Sequence, residues 1–443
     1  MSVQASRPPI HRLPAEILFE IFDWALVDAL SDNRPAVQSP WTLGHVCLRW
    51  RQTTHSFPSL WSKLRIHITE SSSFIRLGRL TPVSPQGSIH FTAGLDYALS
   101  RSGSSPLSLR VEFSDWEDYS QELLIRLVSL SHRWEDIIVI APTETFNALF
   151  ELLGSAQLPL IQSIRFQSSS QFYWDDMPAK DRCTAFQTAP KLRSAILNPV
   201  LMLRLPSSRI TELSISYPEP EDIPIILNQL PYLQFFRLTG FKPWNIDNPV
   251  PTTHMALRQV ELPSLDNLAF FTLPFLTHLC ISTVTQSWNR EIVASFLNRS
   301  SCVIHKLQIS LGGGLGRNAQ PVLSVFSCVA QLSIGTDGYR NLFGSLRKDP
   351  SLLPNLETLQ FLPDSVNDCD LRDVLALGST RSKTLRVIDI GPCYRVEPTE
   401  NEDRTEISRR LMDSGLRLNL IMREKRRRDS FFHVNHDSRC IMM

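Results

Sequence analysis

Leu311-Gly312-Gly313-Gly314-Leu315-Gly316 follows an apolar segment, the place where a phosphate-cradling loop would sit. A P-loop needs a Lys-Ser or Lys-Thr pair to reach phosphates and magnesium, and a dinucleotide fold needs G-x-G-x-x-G with an acid further on. Neither pattern is present, so the run reads as a turn between elements, glycine's ordinary use. Asp364, Asp368 and Asp370, with Cys369 among them, concentrate acid in a predicted loop that caps the next helix. His11, His45, His55, His67 and His90 show no metal-ligand spacing. The eight cysteines, at 47, 183, 280, 302, 328, 369, 393 and 440, contain no C-x-x-C pair. Isolated thiols of this kind suit a reducing compartment. Neither G-x-S-x-G nor H-E-x-x-H occurs. No catalytic residue, metal or cofactor is therefore assigned, and the chain is not expected to be an enzyme.

Reactive chemistry of another kind is written at the C-terminus. Cys440-Ile441-Met442-Met443 has the C-a-a-X form, and a terminal Met favours farnesyl transfer to Cys440. One lipid chain holds a membrane only marginally and needs a second signal, which Arg423, Lys425, Arg426, Arg427 and Arg428 would supply. The alternative is an unmodified, solvated basic tail. The same basic run has the composition of a nuclear address or nucleic-acid contact. A net charge of +1 gives no global field of that kind, so no nucleic acid is expected.

Stepping along the 443 residues, 42% hydrophobic and 20% charged content describes an ordinary folded chain. A single compact core stops growing at roughly 250–300 residues, so several domains or one lengthwise solenoid are required. MSVQASRPPIHRLP contains no apolar run, and no secretory signal is expected. The most apolar stretch, Leu268–Ile281, is broken by Pro274 and too short to span a bilayer. These features predict a cytoplasmic or nuclear protein, with peripheral membrane contact only through a lipidated Cys440.

Two amphipathic helices are predicted near the N-terminus. The first opens at Pro14 and carries Leu13, Ile17, Leu18, Ile21 and Phe22 as one apolar stripe. The second opens at Ser39-Pro40 and carries Leu43, Val46, Cys47 and Trp50 at i, i+3, i+4 and i+7. Phe57-Pro58-Ser59-Leu60-Trp61 follows. So small a unit stabilises itself against a neighbour or a partner.

Leu-Pro-x-Glu-Ile-Leu-x-x-Ile-Phe, then Val-Cys-x-x-Trp-Arg, then Pro-x-Leu-Trp resembles the F-box motif, in the form abundant in mushroom-type fungi. The resemblance implies docking onto a Skp-type adaptor of a cullin-RING ubiquitin ligase. It also implies that Leu13, Pro14, Ile17, Leu18, Ile21 and Trp50 contribute to that face, with Phe22, Leu43 and Val46 from the same stripes. The loop between the helices, Asp28–Ser39, is longer than the motif's pattern.

Beyond Trp61 an L-x-x-L-x-L pattern recurs. Its middle apolar residues are Ile137, Ile164, Ala195, Leu213, Phe236, Val260, Leu279, Leu307, Leu332, Leu359 and Ile388. Their spacing runs from 18 residues (Ala195 to Leu213) to 31 (Ile164 to Ala195), around the roughly 20–29 of leucine-rich repeats. Period-2 alternation makes each L-x-L a strand with one buried face. Glu144–Leu153, Glu291–Asn298 and Leu371–Leu377 have helical stripes between strands. Strand-then-helix repetition predicts parallel strands with right-handed crossovers. The pattern resembles a degenerate leucine-rich repeat solenoid without a regular Asn or Cys ladder. Ser71–Ser105 fits no repeat and reads as an insertion; Arg404–Ser414 reads as a last helix and Leu416–Ile421 as a closing strand.

The expected fold is α/β: a small all-α module over 8–62, a leucine-rich-repeat-like solenoid over 63–422 with strands concave and helices convex, and a basic tail over 423–443. The expected function is substrate recognition within an SCF-type ligase, with an unknown protein substrate. The competing expectation is a repeat scaffold acting outside a ligase. In a solenoid of this kind the residues alternating with the buried ones face the concave surface. Arg165, Glu212, Arg237, Glu261, His278, Gln308, Ser333, Gln360 and Asp389 are read there as a substrate-binding row of mixed charge.

Overall fold

A computed structural model describes residues 9–422 except 28–39, 69–86, 115–117, 155, 170–183, 199–204, 219, 241–248, 283–288, 310–318, 336–338, 362–367, 382, 394 and 398–416. The glycine run, Asp364, the predicted helix over 404–414, the basic run and Cys440 lie outside these residues. The fold is mixed α/β, built on parallel strands. It divides into two compact units: residues 1–277 with 295–302, and 278–294 with 303–443.

The first unit opens with α1 (Ala15–Val27), α2 (Pro40–Gly44) and α3 (Leu48–Ser56). Pro14 stands just before α1, where its missing N–H costs nothing, and its carbonyl accepts from the Leu18 N–H at 3.1 Å. Leu18, Phe22 and Leu26, four residues apart, are fully buried. The helix predicted to open at Ser39-Pro40 and carry Leu43 through Trp50 is two helices. The chain turns at His45–Val46, and Cys47 is extended at φ −161°. The Cys47 thiol then caps α3, accepting from the Trp50 N–H at 3.5 Å. A local cap and turn thus override the apolar period. Trp61 is buried with its Nε1–H donated to the Thr54 carbonyl at 2.7 Å, and its ring meets Trp41 at 5.1 Å and Tyr97 at 5.5 Å. This aromatic cluster packs the N-terminal helices onto α4 (Gly87–Ser102), and both lie within the first compact unit. The second half of the expected insertion is therefore α4, with Leu95 and Ala98 buried.

The unit continues through β1 (Lys63–Ile68), β2 (Leu107–Phe113), α5 (Asp118–Ser129), β3 (Trp134–Ala141), α6 (Thr143–Leu153), β4 (Ser163–Ser168), β5 (Ser194–Asn198), β6 (Glu212–Ser216), α7 (Asp222–Gln229), β7 (Phe235–Thr239), β8 (Thr252–Thr253), β9 (Gln259–Leu262) and β10 (Phe271–Thr272). Gly154, at φ +44°, ends α6. β1–β7 and β9 pair in parallel in chain order, and β8 pairs β10 separately. The apolar marks read from the sequence are register partners: Ile137 with Ile164, Ala195, Leu213, Phe236 and Val260 in succession. Two strands of this parallel series, β1 and β2, were not anticipated. Leu64 of β1 pairs Leu109 of β2, which pairs Ile137. The long insertion between them hid the repeat.

The division between units runs through α8 (Arg290–Ser300). The second unit contains β11 (His278–Ile281), β12 (Lys306–Ile309), α9 (Ala319–Leu323), β13 (Gln331–Ile334), α10 (Tyr339–Lys348), β14 (Thr358–Phe361), β15 (Asp368–Asp370), α11 (Leu371–Thr380), β16 (Val387–Cys393), β17 (Arg395–Glu397) and β18 (Arg417–Met422). Leu279, Leu307, Leu332, Leu359 and Ile388 are again successive register partners, and Leu418 of β18 closes the series. Asp368, Cys369 and Asp370 do not lie in a loop. They form β15, paired in parallel with β17.

An arginine, buried at 133 and 381 and half-buried at 299, recurs one repeat after the backbone groups it serves. Arg133 donates to the Ser105 carbonyl at 2.8 Å and the Ser102 hydroxyl at 2.7 Å, 28 and 31 residues back. Arg299 donates to the Phe271 carbonyl at 2.8 Å and to the Leu268 carbonyl, again 28 and 31 back. Arg381 serves Leu346, Asp349, Leu352 and Leu353 carbonyls, 28 to 35 back, between 2.6 and 3.1 Å. Each guanidinium donates to acceptors at the C-terminal end of a helix or turn, some of which also take a backbone N–H. Burial lowers the pKa of all three, yet arginine stays charged.

His254 sits buried in the turn before β9. Its Nδ1 accepts from the Leu257 and Ala256 N–H groups at 3.2 and 3.3 Å, leaving Nε2–H to donate to the Leu230 carbonyl at 3.0 Å. Burial lowers its pKa from 6.5, against a smaller opposing effect of the Leu230 bond. The unfolded chain therefore takes up a proton that the fold refuses. This contribution is complete above about pH 6.5 and is lost as pH falls below that value. The urea midpoint should drop between about pH 7.5 and about pH 5.5, and by less in a His254→Gln variant.

Candidate functional site

On α1, the positions flanking the buried stripe are apolar and open to solvent. Ile17 is 47% exposed, Ile21 43% and Trp24 79%, at i, i+4 and i+7. Val46 and Leu48, on either side of the α3 cap, are exposed as well. One short segment thus carries two apolar faces, one turned inward and one outward.

This splits the predicted adaptor-facing set. Pro14, Ile17, Ile21 and Val46 are exposed; Leu13, Leu43 and Trp50 are half-buried. Arg49 donates to the Leu13 carbonyl, and the Trp50 ring lies 4.8 Å from Phe22. Leu18 and Phe22 belong to the chain's own core; Phe22 meets Trp50 of α3. Trp24 and Leu48 escaped the sequence reading. Trp24 is one further helical step from Ile17 and Ile21, a signal present in the spacing.

The outward face of the strands is mostly polar, with several charges paired on it. In the first unit its central register row is Arg65, Arg110, Ile138, Arg165, Ile196, Ser214, Arg237 and Glu261. In the second it is Cys280, Gln308, Ser333, Gln360, Asp389 and Asn419. Arg165, Arg237, Glu261, Gln308, Ser333, Gln360 and Asp389 sit where the alternation placed them. Glu212 and His278 do not share that row. Each lies two residues upstream on the same face, and Ser214 and Cys280 take their places. Glu112 gathers Arg110 at 2.5 Å, Arg65 at 2.9 Å and His67 at 3.7 Å. Asp136 accepts from the Ser163 hydroxyl at 2.6 Å and the Ser108 hydroxyl at 3.2 Å. Arg237 and Glu261 are ion-paired across β7 and β9 at 2.6 Å.

The Arg237–Glu261 pair sets what charge reversal at these positions should do. Arg237→Glu alone sets two carboxylates side by side and should lower stability by about 1 kcal/mol. Adding Glu261→Arg restores an ion pair and should recover most of that loss, a coupling read from a double-mutant cycle of urea midpoints. Equal midpoints for the single and double variants would show the pair to be energetically idle.

Among the described residues no three His, Cys, Asp or Glu side chains converge as a metal site, and no helix is long and apolar enough to cross a membrane. No family model matches the chain, and no curated protein matches it.

Proposed function

We propose that this chain is the substrate-recognition subunit of an SCF-type ubiquitin ligase. In this reading the N-terminal helices are an F-box that docks a Skp-type adaptor, the strands and helices beyond form a leucine-rich-repeat-like solenoid, and the solenoid holds the protein to be modified. The observation that carries it is the second apolar face of α1. Ile17, Ile21 and Trp24 are exposed beside the buried Leu18, Phe22 and Leu26, in the segment that resembles the F-box motif. Apolar side chains clustered in the open mark a contact surface. The ligation chemistry then belongs to the cullin-RING partners, and the chain contributes recognition alone. The reading places it in the cytoplasm or nucleus, reaching membranes only if Cys440 is prenylated. Mixing the purified chain with a purified Skp-type adaptor tests it: co-elution as a 1:1 complex is expected, and separate elution at micromolar concentration would overturn the assignment.

A further inference from the structure

The turns that lead into β5, β6, β7, β9 and β11 share one construction. Two residues before each strand stands a fully buried aliphatic: Leu192, Ile210, Leu233, Leu257 and Leu276. Its neighbours point the other way. Three residues before the strand come Lys191, Arg209, Tyr232 and Phe275, all exposed, with Met255 exposed beside the fifth position. One residue before it come Arg193 and Arg258, also exposed. The turns are contiguous within the first unit. Thr211 N–H donates to the Arg193 carbonyl at 2.9 Å, Gln234 to Thr211 at 2.8 Å, Arg258 to Gln234 at 3.0 Å and Thr277 to Arg258 at 2.9 Å. At about 4.8 Å per strand this rim runs for roughly 19 Å, the length of about six extended residues.

Its charge is one-sided. Lys191, Arg193, Arg209 and Arg258 have no carboxylate partner among the described residues, and Glu212 is the single acid in these turns and the first strand residue after each. This contrasts with the outward strand face, where Glu112, Asp136 and Glu261 answer their neighbours. Exposed Tyr232 (58%), Met255 and Phe275 (49%) follow the first three cations along the rim, with Arg258 between the last two. We propose that this strand-entry rim is a docking site for an extended acidic polypeptide segment carrying aromatic or aliphatic side chains. Its carboxylates would meet the four cations, and its apolar side chains would cover Tyr232, Met255 and Phe275. A single-stranded nucleic acid fits less well. The Arg258 guanidinium lies over the Phe275 ring, 6.0 Å from its centroid, on the face a base would stack against. The proposal stands whether or not the N-terminal face docks an adaptor.

The test is fluorescence anisotropy on the full chain. The probes are a labelled peptide of three Glu-Tyr-Asp-Leu repeats, its counterpart with Lys at every acidic position, and an oligothymidylate of equal length. The acidic peptide should bind saturably and lose affinity as salt rises. Lys191→Glu, Arg193→Glu and Arg258→Glu together should weaken it at least about tenfold, and Tyr232→Ala with Phe275→Ala several-fold. The lysine peptide should not bind. Thermal melts check folding; if the triple charge reversal melts early, the same positions changed to Gln give the reading. Absent binding of the acidic peptide, or equal binding by the folded charge variants, overturns the proposal. Tighter binding of oligothymidylate through the same side chains overturns it in favour of nucleic acid. An Ile17→Asp, Ile21→Asp variant should bind the acidic peptide normally, which separates this site from adaptor docking.

Discussion

Ile17→Asp with Ile21→Asp should abolish binding to a Skp-type adaptor and leave the rest of the chain folded. Both side chains are about half exposed in the free chain, so the exchange costs its stability little, on the order of 0.5 kcal/mol. In the complex the same positions would be covered by apolar surface. Two unpaired carboxylates there cost several kcal/mol, which is at least about a hundredfold in affinity. Trp24→Ala should act alone with about 2 kcal/mol, as large exposed aromatics do when an interface forms over them. Leu18→Asp is the contrasting control. It charges a fully buried position and should unfold the N-terminal helices, losing binding and structure together. Calorimetric titration of the adaptor, with a melt of each variant, separates these outcomes. Undiminished binding by the double aspartate variant would remove the ground for an F-box.

Arg381→Met should destabilise the second unit by about 3 kcal/mol, despite lying in a turn and adding apolar volume. The side chain is 4% exposed, and its guanidinium is the shared donor for four carbonyls at and beyond the end of α10. Met leaves the Leu346 and Leu352 carbonyls without a donor, while the Asp349 and Leu353 carbonyls keep one backbone donor each, from the Leu352 and Leu356 N–H groups. Arg381→Lys should recover less than half of the loss, because an ammonium is a point with three donors and cannot span the separated carbonyls. Urea unfolding read together with hydrogen exchange in α10 and α11 checks both. A Met variant whose exchange and unfolding match the parent would show that water replaces the guanidinium without penalty.

Strand positions were legible because alternation is a local property: Leu-x-Leu can bury only one side, and stacking successive copies aligns like with like. That is why spacing alone sets Ile137, Ile164, Ala195 and Leu213 in register, and Leu279 through Ile388 likewise. The helices Thr143–Leu153 and Leu371–Thr380 were legible for the same reason at a period of 3.6. Local pattern failed where a different local force intervened, at the Cys47 cap that divides the second predicted helix. It also failed where an insertion stretched the repeat and concealed β1 and β2.

The sequence by itself determined which residues are apolar and at what period, and hence the parallel strands, their order and their buried sides. Tertiary structure alone decided which of two apolar faces on α1 stays open. The spacing of Ile17, Leu18, Ile21 and Phe22 is compatible with either rotation of the helix, and the choice is made by Trp50 packing on Phe22 and by the Trp41–Trp61–Tyr97 cluster beneath. It also decided the arginine contacts. Arg133, Arg299 and Arg381 look like surface residues in the sequence, since their acceptors lie 28 to 35 positions away and are brought near only when one repeat stacks upon the last. The cationic rim has the same origin: Lys191, Arg193, Arg209 and Arg258 stand in separate turns, and parallel pairing of the strands that follow sets them in one line.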